Sequence, residues 1–337
     1  MEILPKTLGT RPRLAVEVRA EGVVAARAED AAGLLSAVSH GRLTEGALLP
    51  GLKGGNVVDR FCVLAAVREA LNHVAGSGRD VTIVVPDGAV RVLLLDFDDL
   101  PGKTAEALPV IRFRLKKLLP FDADTAAVSY QVMSSERGMV RVLAVAMPRE
   151  VLEEYEGIVS AAGYVPGAVL PSTLAALAAL DAQETPALVV NAGRSSVTTA
   201  IVRDGILLLH RSLEMAFEEA PGAGAHTAEG QRMSPYDPAK SQTQVVERIE
   251  SAVEAREIAQ AVNVASAYFE DMLATAPGKV LCTGPLGAEG LRALLEENGV
   301  KCQETQELVS LAALGSGAAT TRVPRSWLAG VRGALRN

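Results

Sequence analysis

The chain has 337 residues, a formal net charge of −7, and 49% apolar but only 4% aromatic residues, which leaves room for about two domains with sizeable cores. So few aromatics exclude a base-stacking surface for single-stranded nucleic acid, and the acidic balance excludes general nucleic-acid binding. No apolar run reaches the roughly 18 residues of a membrane span, and the opening MEILPKTLGTRPR lacks the apolar core of a signal peptide.

Taken in chain order, residues 14–27 (LAVEVRAEGVVAAR) alternate and break at Glu21-Gly22, which predicts a hairpin. Residues 58–75 have helical periodicity, with Phe61, Val63, Leu64, Val67 and Leu71 on one side. Short β-rich runs follow at 81–86 and 90–97. Residues 105–119 read as a helix that stops before Pro120 and tolerates Pro109 only in its first turn. Strands are predicted at 128–133 and 140–147, then a helix over 149–162 closed by Gly163. Ser172 can cap a helix over 172–182. Residues 186–213 (PALVVNAGRSSVTTAIVRDGILLLHRSL) read as three strands, with a small-residue turn after the first and a reversal at Asp204-Gly205. Residues 218–244 are rich in turn formers and predict a long mobile loop. A long helical segment over 245–273, a strand at 279–283 and helices over 288–298 and 306–314 complete the series. Strands mixed with helices throughout give an α/β class with two sheets. The hairpins at 14–27 and 188–203 look like the openings of two equivalent halves.

Three cysteines without a CxxC pair predict free thiols in a reducing compartment. His40, His73, His210 and His226 are scattered without metal-ligand spacing, so no metal site is expected. Pro101-Gly102-Lys103-Thr104 is not a P-loop, because the first glycine of that pattern would fall on Phe97. Thr104 as a helix N-cap accounts for it better.

Four segments together carry a resemblance: LLPFDADTAAVSYQVM (118–133), VLAVAMPREVLEEYEGIVSAAGYVPGAVLPSTLAAL (142–177), the hairpin series at 187–213, and VNVASAYFEDM…KVLCTGPLGAEGLRALLEENGV (262–300). In their order they resemble PilM, the actin-like protein of type IV pilus assembly, with FtsA and the cytoplasmic part of GspL as more distant relatives. The resemblance implies an α/β, actin-like (ribonuclease H-like) fold of two lobes around a cleft. A first lobe would span 1–87 plus 165–184, with a small α/β insert at 88–164. A second lobe would span 185–321 and carry the mobile loop 218–244, and a basic amphipathic tail would follow at 322–337. It also implies a non-catalytic adaptor at the inner face of the cytoplasmic membrane that binds the N-terminal tail of a bitopic, PilN-like partner. An actin-superfamily ATPase or kinase with a working cleft is the alternative, with Asp181 the nameable base.

Active relatives hold Mg-ATP between two hairpin turns and a glycine turn. In the first turn Glu17 would stand for the expected Asp, and Glu21 would repel an anion. In the second, Gly193 permits close approach, Arg194 can neutralise a phosphate, and Ser195, Ser196 and Thr198 can donate. Asn191 stands where a carboxylate is wanted, and a neutral amide contributes less to a hard cation. The third turn keeps Gly284 and Gly287, but Pro285 removes a backbone donor. No cofactor is therefore expected; ATP with Mg²⁺ is the alternative. Two surfaces remain. Arg112, Arg114, Lys116 and Lys117 make a basic helix face, read as solvated or as a contact for an acidic partner or lipid headgroups. After Pro324 a helix would gather Trp327, Leu328, Val331 and Leu335 on one side, with Arg325 and Arg332 beside them. Such a helix can lie in a membrane interface, dock on a partner, or pack on the protein's own surface.

Overall fold

The two halves of the chain build the same sheet. A computed structural model describes residues 12–136, 138–181, 186–193, 196–215, 238–300, 304–319 and 323–336, with 238–252 and 319 described by backbone alone. β1 (Leu14–Arg19), β2 (Gly22–Ala28) and β3 (Leu35–Arg42) form an antiparallel meander. After α1 (Arg60–Val74), β4 (Asp80–Val85) returns parallel to β1. A 3₁₀ turn at Asp87–Ala89 leads into β5 (Arg91–Phe97), α2 (Thr104–Leu115), β6 (Ala127–Glu136) and β7 (Met139–Met147). These three strands make a separate antiparallel sheet in the order β5-β7-β6. α3 (Arg149–Ala161), β8 (Val165–Pro171) and α4 (Ser172–Ala178) then complete a first sheet in the order β3-β2-β1-β4-β8.

The second half repeats the plan with β9 (Ala187–Ala192), β10 (Ser196–Arg203), β11 (Ile206–Glu214), α5 (Pro238–Leu273), β12 (Lys279–Thr283), α6 (Gly287–Glu297) and β13 (Glu304–Glu307). Its order, β11-β10-β9-β12-β13, matches the first strand for strand. The short α7 (Ser316–Ala319) and α8 (Ala329–Leu335) follow.

The sheets are covered on both faces, which is why β1 and β9 are buried along their whole length. In β1, Leu14, Val16 and Val18 join Val67, Tyr155 and Ile158 of α1 and α3. Ala15 faces the other way, into a core shared by both halves and filled by Leu174 and Leu177 of α4 and Val331 and Leu335 of α8. In β9, Leu188 and Val190 pack on Ile258 and Leu291 of α5 and α6, while Val189 enters the shared core. α4 and α8 thus lie between the two sheets. Full burial of each Leu or Val contributes roughly 1.5–3 kcal/mol.

Several expectations are corrected. Among the described residues three sheets form, not two. β3 and β8 were not foreseen, and residues 304–307 pair with β12 as a strand instead of opening a helix. Phe61 lies in the first turn of α1 and is 84% exposed, since Val63, Ala66, Val67, Ala70 and Leu71 supply the buried face. Pro109 sits past the first turn of α2, and Lys103, not Thr104, holds the N-cap position. α5 begins at Pro238, inside the segment expected to be loop; residues 218–237 lie outside the described residues. Gly163 closes α3 with φ 93° and the Asp204-Gly205 reversal has φ 50° and 82°, as expected. Cys62 is a half-buried free thiol, Cys282 is buried and donates to the Val280 carbonyl at 3.7 Å, and Cys302 lies outside the described residues. Among the described residues no helix is long and apolar enough to cross a membrane.

Candidate functional site

β1 and β9 are the central strands of their sheets, and their carboxyl ends meet across the cleft between them, where open α/β sheets place ligands. The alternation that sends Val16 and Val18 outward sends Glu17 and Arg19 inward, and both are buried. Glu17 and Arg19 form an ion pair at 2.6 Å. Ser172 Oγ, at the start of α4, donates to Glu17 Oε1 (2.6 Å) and accepts from Arg19 Nη2 (2.9 Å). Arg19 Nη1 crosses the cleft and donates to Asn191 Oδ1 at 3.0 Å. Asn191 Nδ2 in turn lies 2.9 Å from Thr173 Oγ1, 3.0 Å from Ser172 Oγ and 3.2 Å from Asp87 Oδ2. Asp87, from the 3₁₀ turn after β4, accepts the Thr173 N–H (3.0 Å) and the Thr173 hydroxyl, so its charge sits at the N-terminus of α4.

Burial pushes the Glu17 carboxyl above the ordinary carboxylate range, against the pull of Arg19 and the Ser172 hydroxyl and with a small push from Asp87. Among the described residues Glu17 Oε2 and Arg19 Nε are buried without a hydrogen-bond partner. Gly330 of α8 closes that side, since a Cβ there would come within 2.3 Å of Glu17 Oε2. Beneath the network, burial lowers the pKa of His210 while Asp87 pulls it up.

The residues of the predicted phosphate turns make the following contacts. Gly193 N–H donates to the Ser196 carbonyl (3.0 Å), and a Cβ on Gly193 would fall 2.8 Å from Glu21 Oε1, so the carboxylate of the first turn rests on the glycine of the second. Thr198 is buried and donates to Ser212 Oγ at 3.0 Å. Gly284 (φ 95°) donates its N–H to the Ser326 carbonyl at 2.8 Å, and the Thr283 hydroxyl reaches the same oxygen at 3.0 Å. Gly287 (φ 67°) opens α6 beside Glu307. Arg194 and Ser195 lie outside the described residues. The cavity left among Arg19, Asp87, Ser172, Asn191, Gly193 and Ser196 measures about 20 Å³, room for about one water. Small-molecule sites usually need several hundred Å³, more than this cavity offers. Among the described residues no cluster of His, Cys, Asp or Glu could hold a metal.

Arg19, Asp87, Thr173 and His210 were not singled out by sequence, and Ser172 was taken for a cap; its N-cap position belongs to Pro171. The available signal was two charged residues on one face of a strand whose other face is wholly apolar.

The predicted surfaces fare differently. Arg112 turns onto the Ala123 and Ala126 carbonyls and Lys116 pairs with Asp124 at 2.6 Å, whereas Lys117 lies over the Phe113 ring at 6.0 Å. The reading of residues 325–335 as a membrane or partner surface is corrected. Trp327, Leu328, Val331, Arg332 and Leu335 are buried, and packing on the protein's own body is what the structure shows. Arg325 Nη1 donates to the Val309 carbonyl (3.2 Å), and Arg332 and Arg336 each reach the Ala179 carbonyl at 2.8 Å, past the C-terminus of α4. Asp181 pairs with Arg336 at 3.1 Å, at the far end of α4 from the Asp87–Asn191 contacts.

Two five-stranded sheets of one topology, facing each other across paired hairpin turns, define the actin-like fold. Within that class the fold is PilM-like. The chain matches one solved as a PilM-PilN type IV pilus biogenesis complex with TM-score 0.69 and 17% identity, over 96% of this chain and 98% of that one. It also matches the cytoplasmic domain of EpsL, an inner-membrane component of the type II secretion system of Vibrio cholerae (TM-score 0.46, 11% identity, 88% and 97% covered). A third match is the ethanolamine utilization protein EutJ from Carboxydothermus hydrogenoformans (TM-score 0.45, 13% identity, 100% and 92% covered). No protein-family model and no curated protein matches the sequence.

Proposed function

We propose that this protein is a non-catalytic adaptor of a type IV pilus or type II secretion platform, working on the cytoplasmic side of the inner membrane and binding the N-terminal tail of a PilN-like partner. The observation that carries the reading is the filled cleft. Hydrolysis needs a positioned water, a metal and charge stabilisation together, and here Arg19, Asn191 and Asp87 are spent on one another. The two lobes (1–87 with 165–184, and 185–321) then serve as a rigid dock, and the insert (88–164) supplies one wall for the partner.

A groove of about 250 Å³ between β6 and β8 suits the tail. Val85, Val128, Val145, Met147, Leu152 and Val169 line it, with Glu156 as its single acid. Both flanking strands are sheet edges, so an extended peptide can add to either by main-chain hydrogen bonds. Cytoplasmic flanks of bitopic proteins carry an excess of Lys and Arg, which suits Glu156. Calorimetry on the full chain tests the whole reading. A PilN-like tail peptide should bind, and Val128→Lys should abolish binding; Mg-ATP should give no saturable heat. Micromolar Mg-ATP binding that Gly193→Trp removes would restore the ATPase alternative.

A further inference from the structure

A second trough, on the insert, lies between β5 and α2. It measures about 620 Å³. Among the described residues β5 pairs with β7 alone and so forms a sheet edge; it contributes Leu94 and Phe97, and α2 and the turn after it contribute Val110, Phe113 and Leu118. Phe113 is 68% exposed, large for an aromatic side chain. The rim carries Arg114 and Lys117, and neither has an acidic partner among the described residues. The one acid in the trough, Asp96, is already held by Arg141 at 2.8 Å, a contact that keeps its carboxyl below the usual range. In a chain of net charge −7, this trough therefore presents unneutralised positive charge above an apolar floor.

We propose that the β5–α2 trough is a second docking site, which takes an extended, acidic segment of a protein partner as an added strand. A strand with period-two alternation would place apolar side chains in the trough and carboxylates at Arg114 and Lys117. A lipid surface fits less well: its headgroups could neutralise the two cations, but they cannot pair the open main-chain edge of β5 or fill a concave trough. The site differs in sign from the β6–β8 groove. A basic tail suited to Glu156 is repelled by Arg114 and Lys117, so the two surfaces select different partners. The inference stands on the trough alone and does not depend on the tail reading.

The test uses the full chain and a fluorescein-labelled peptide alternating Glu with Val, seven residues long to match β5. Fluorescence anisotropy should show saturable binding that weakens roughly tenfold or more in Arg114→Glu/Lys117→Glu and in Phe113→Ser, with thermal melts unchanged because these side chains are exposed. Amide exchange at residues 91–97 should slow on binding, and a Lys-for-Glu peptide should not bind. No saturable binding, or equal binding by the charge-reversed variant, overturns the proposal. So does sedimentation with phosphatidylglycerol vesicles that depends on Arg114 and Lys117 while the peptide is ignored, which would make the trough a lipid contact.

Discussion

Asn191 is a carboxamide, and its neighbours explain why an amide suits the position. It must accept from Arg19 and donate toward Asp87 and Thr173 at once. A carboxylate can only accept, and here it would set a second negative charge about 3 Å from Asp87, where like charges cannot both ionise cheaply. Asn191→Asp is therefore expected to destabilise the protein by about 1–3 kcal/mol, read as a lower urea midpoint, and to gain no Mg-ATP binding. The buried histidines give a pH signature. Burial lowers the folded pKa of His210, and burial with Arg42 lowers that of His40, from an ordinary value of 6.5. Below that value the unfolded chain takes up protons that the native state refuses, so stability is lost as the pH falls through 6.5 toward the folded values and is unaffected above it. Glu17 works oppositely: its raised pKa means that its native-state contribution declines as the pH rises from 4.5. The histidine contribution to the melting temperature should therefore fall away below about pH 6.5, with a shallower fall in His210→Gln.

At the scale of elements, α4 and α8 pack backbone to backbone. A Cβ at Gly333 would fall 1.7 Å from the Ala175 carbonyl oxygen, and main chain cannot give way as a flexible side chain can. Gly333→Ala should cost at least about 3 kcal/mol. Gly157→Ala, in mid-α3 with nothing within 4 Å of the new Cβ, should stabilise by about 0.5–1 kcal/mol; denaturant titration of both variants checks the contrast. The hairpins were legible because their alternation is clean and Asp204-Gly205 favours a left-handed reversal. β8 was hidden by two prolines and a glycine in VPGAVLP, and β13 by the wholly polar ETQE, a strand made by pairing with β12 rather than by propensity. α8 misleads in a different way. Arg332 reads in sequence as the basic flank of an interfacial or docking helix, but it and Arg336 reach the Ala179 carbonyl past the end of α4, which only the fold brings near.

Across the whole molecule, the echo between the two hairpins proved to be a repeat of entire sheets. The paired turns of the cleft were visible in sequence, whereas the contacts that close it were not. Alternation along β1 ordinarily means one wet face, but here a second sheet lies opposite, so Glu17 and Arg19 face protein instead of water. Long-range pairing, Arg19 with Asn191 and Asp87 with Thr173, is what no local pattern encodes. One feature also sets a timetable. α8 lies against β1, β2 and β4 yet follows β1 by roughly 300 residues. At about 5–20 residues per second of synthesis, β1 waits on the order of 15–60 seconds on the ribosome before α8 can cover its inner face, a window in which chaperones or neighbouring nascent chains compete for it.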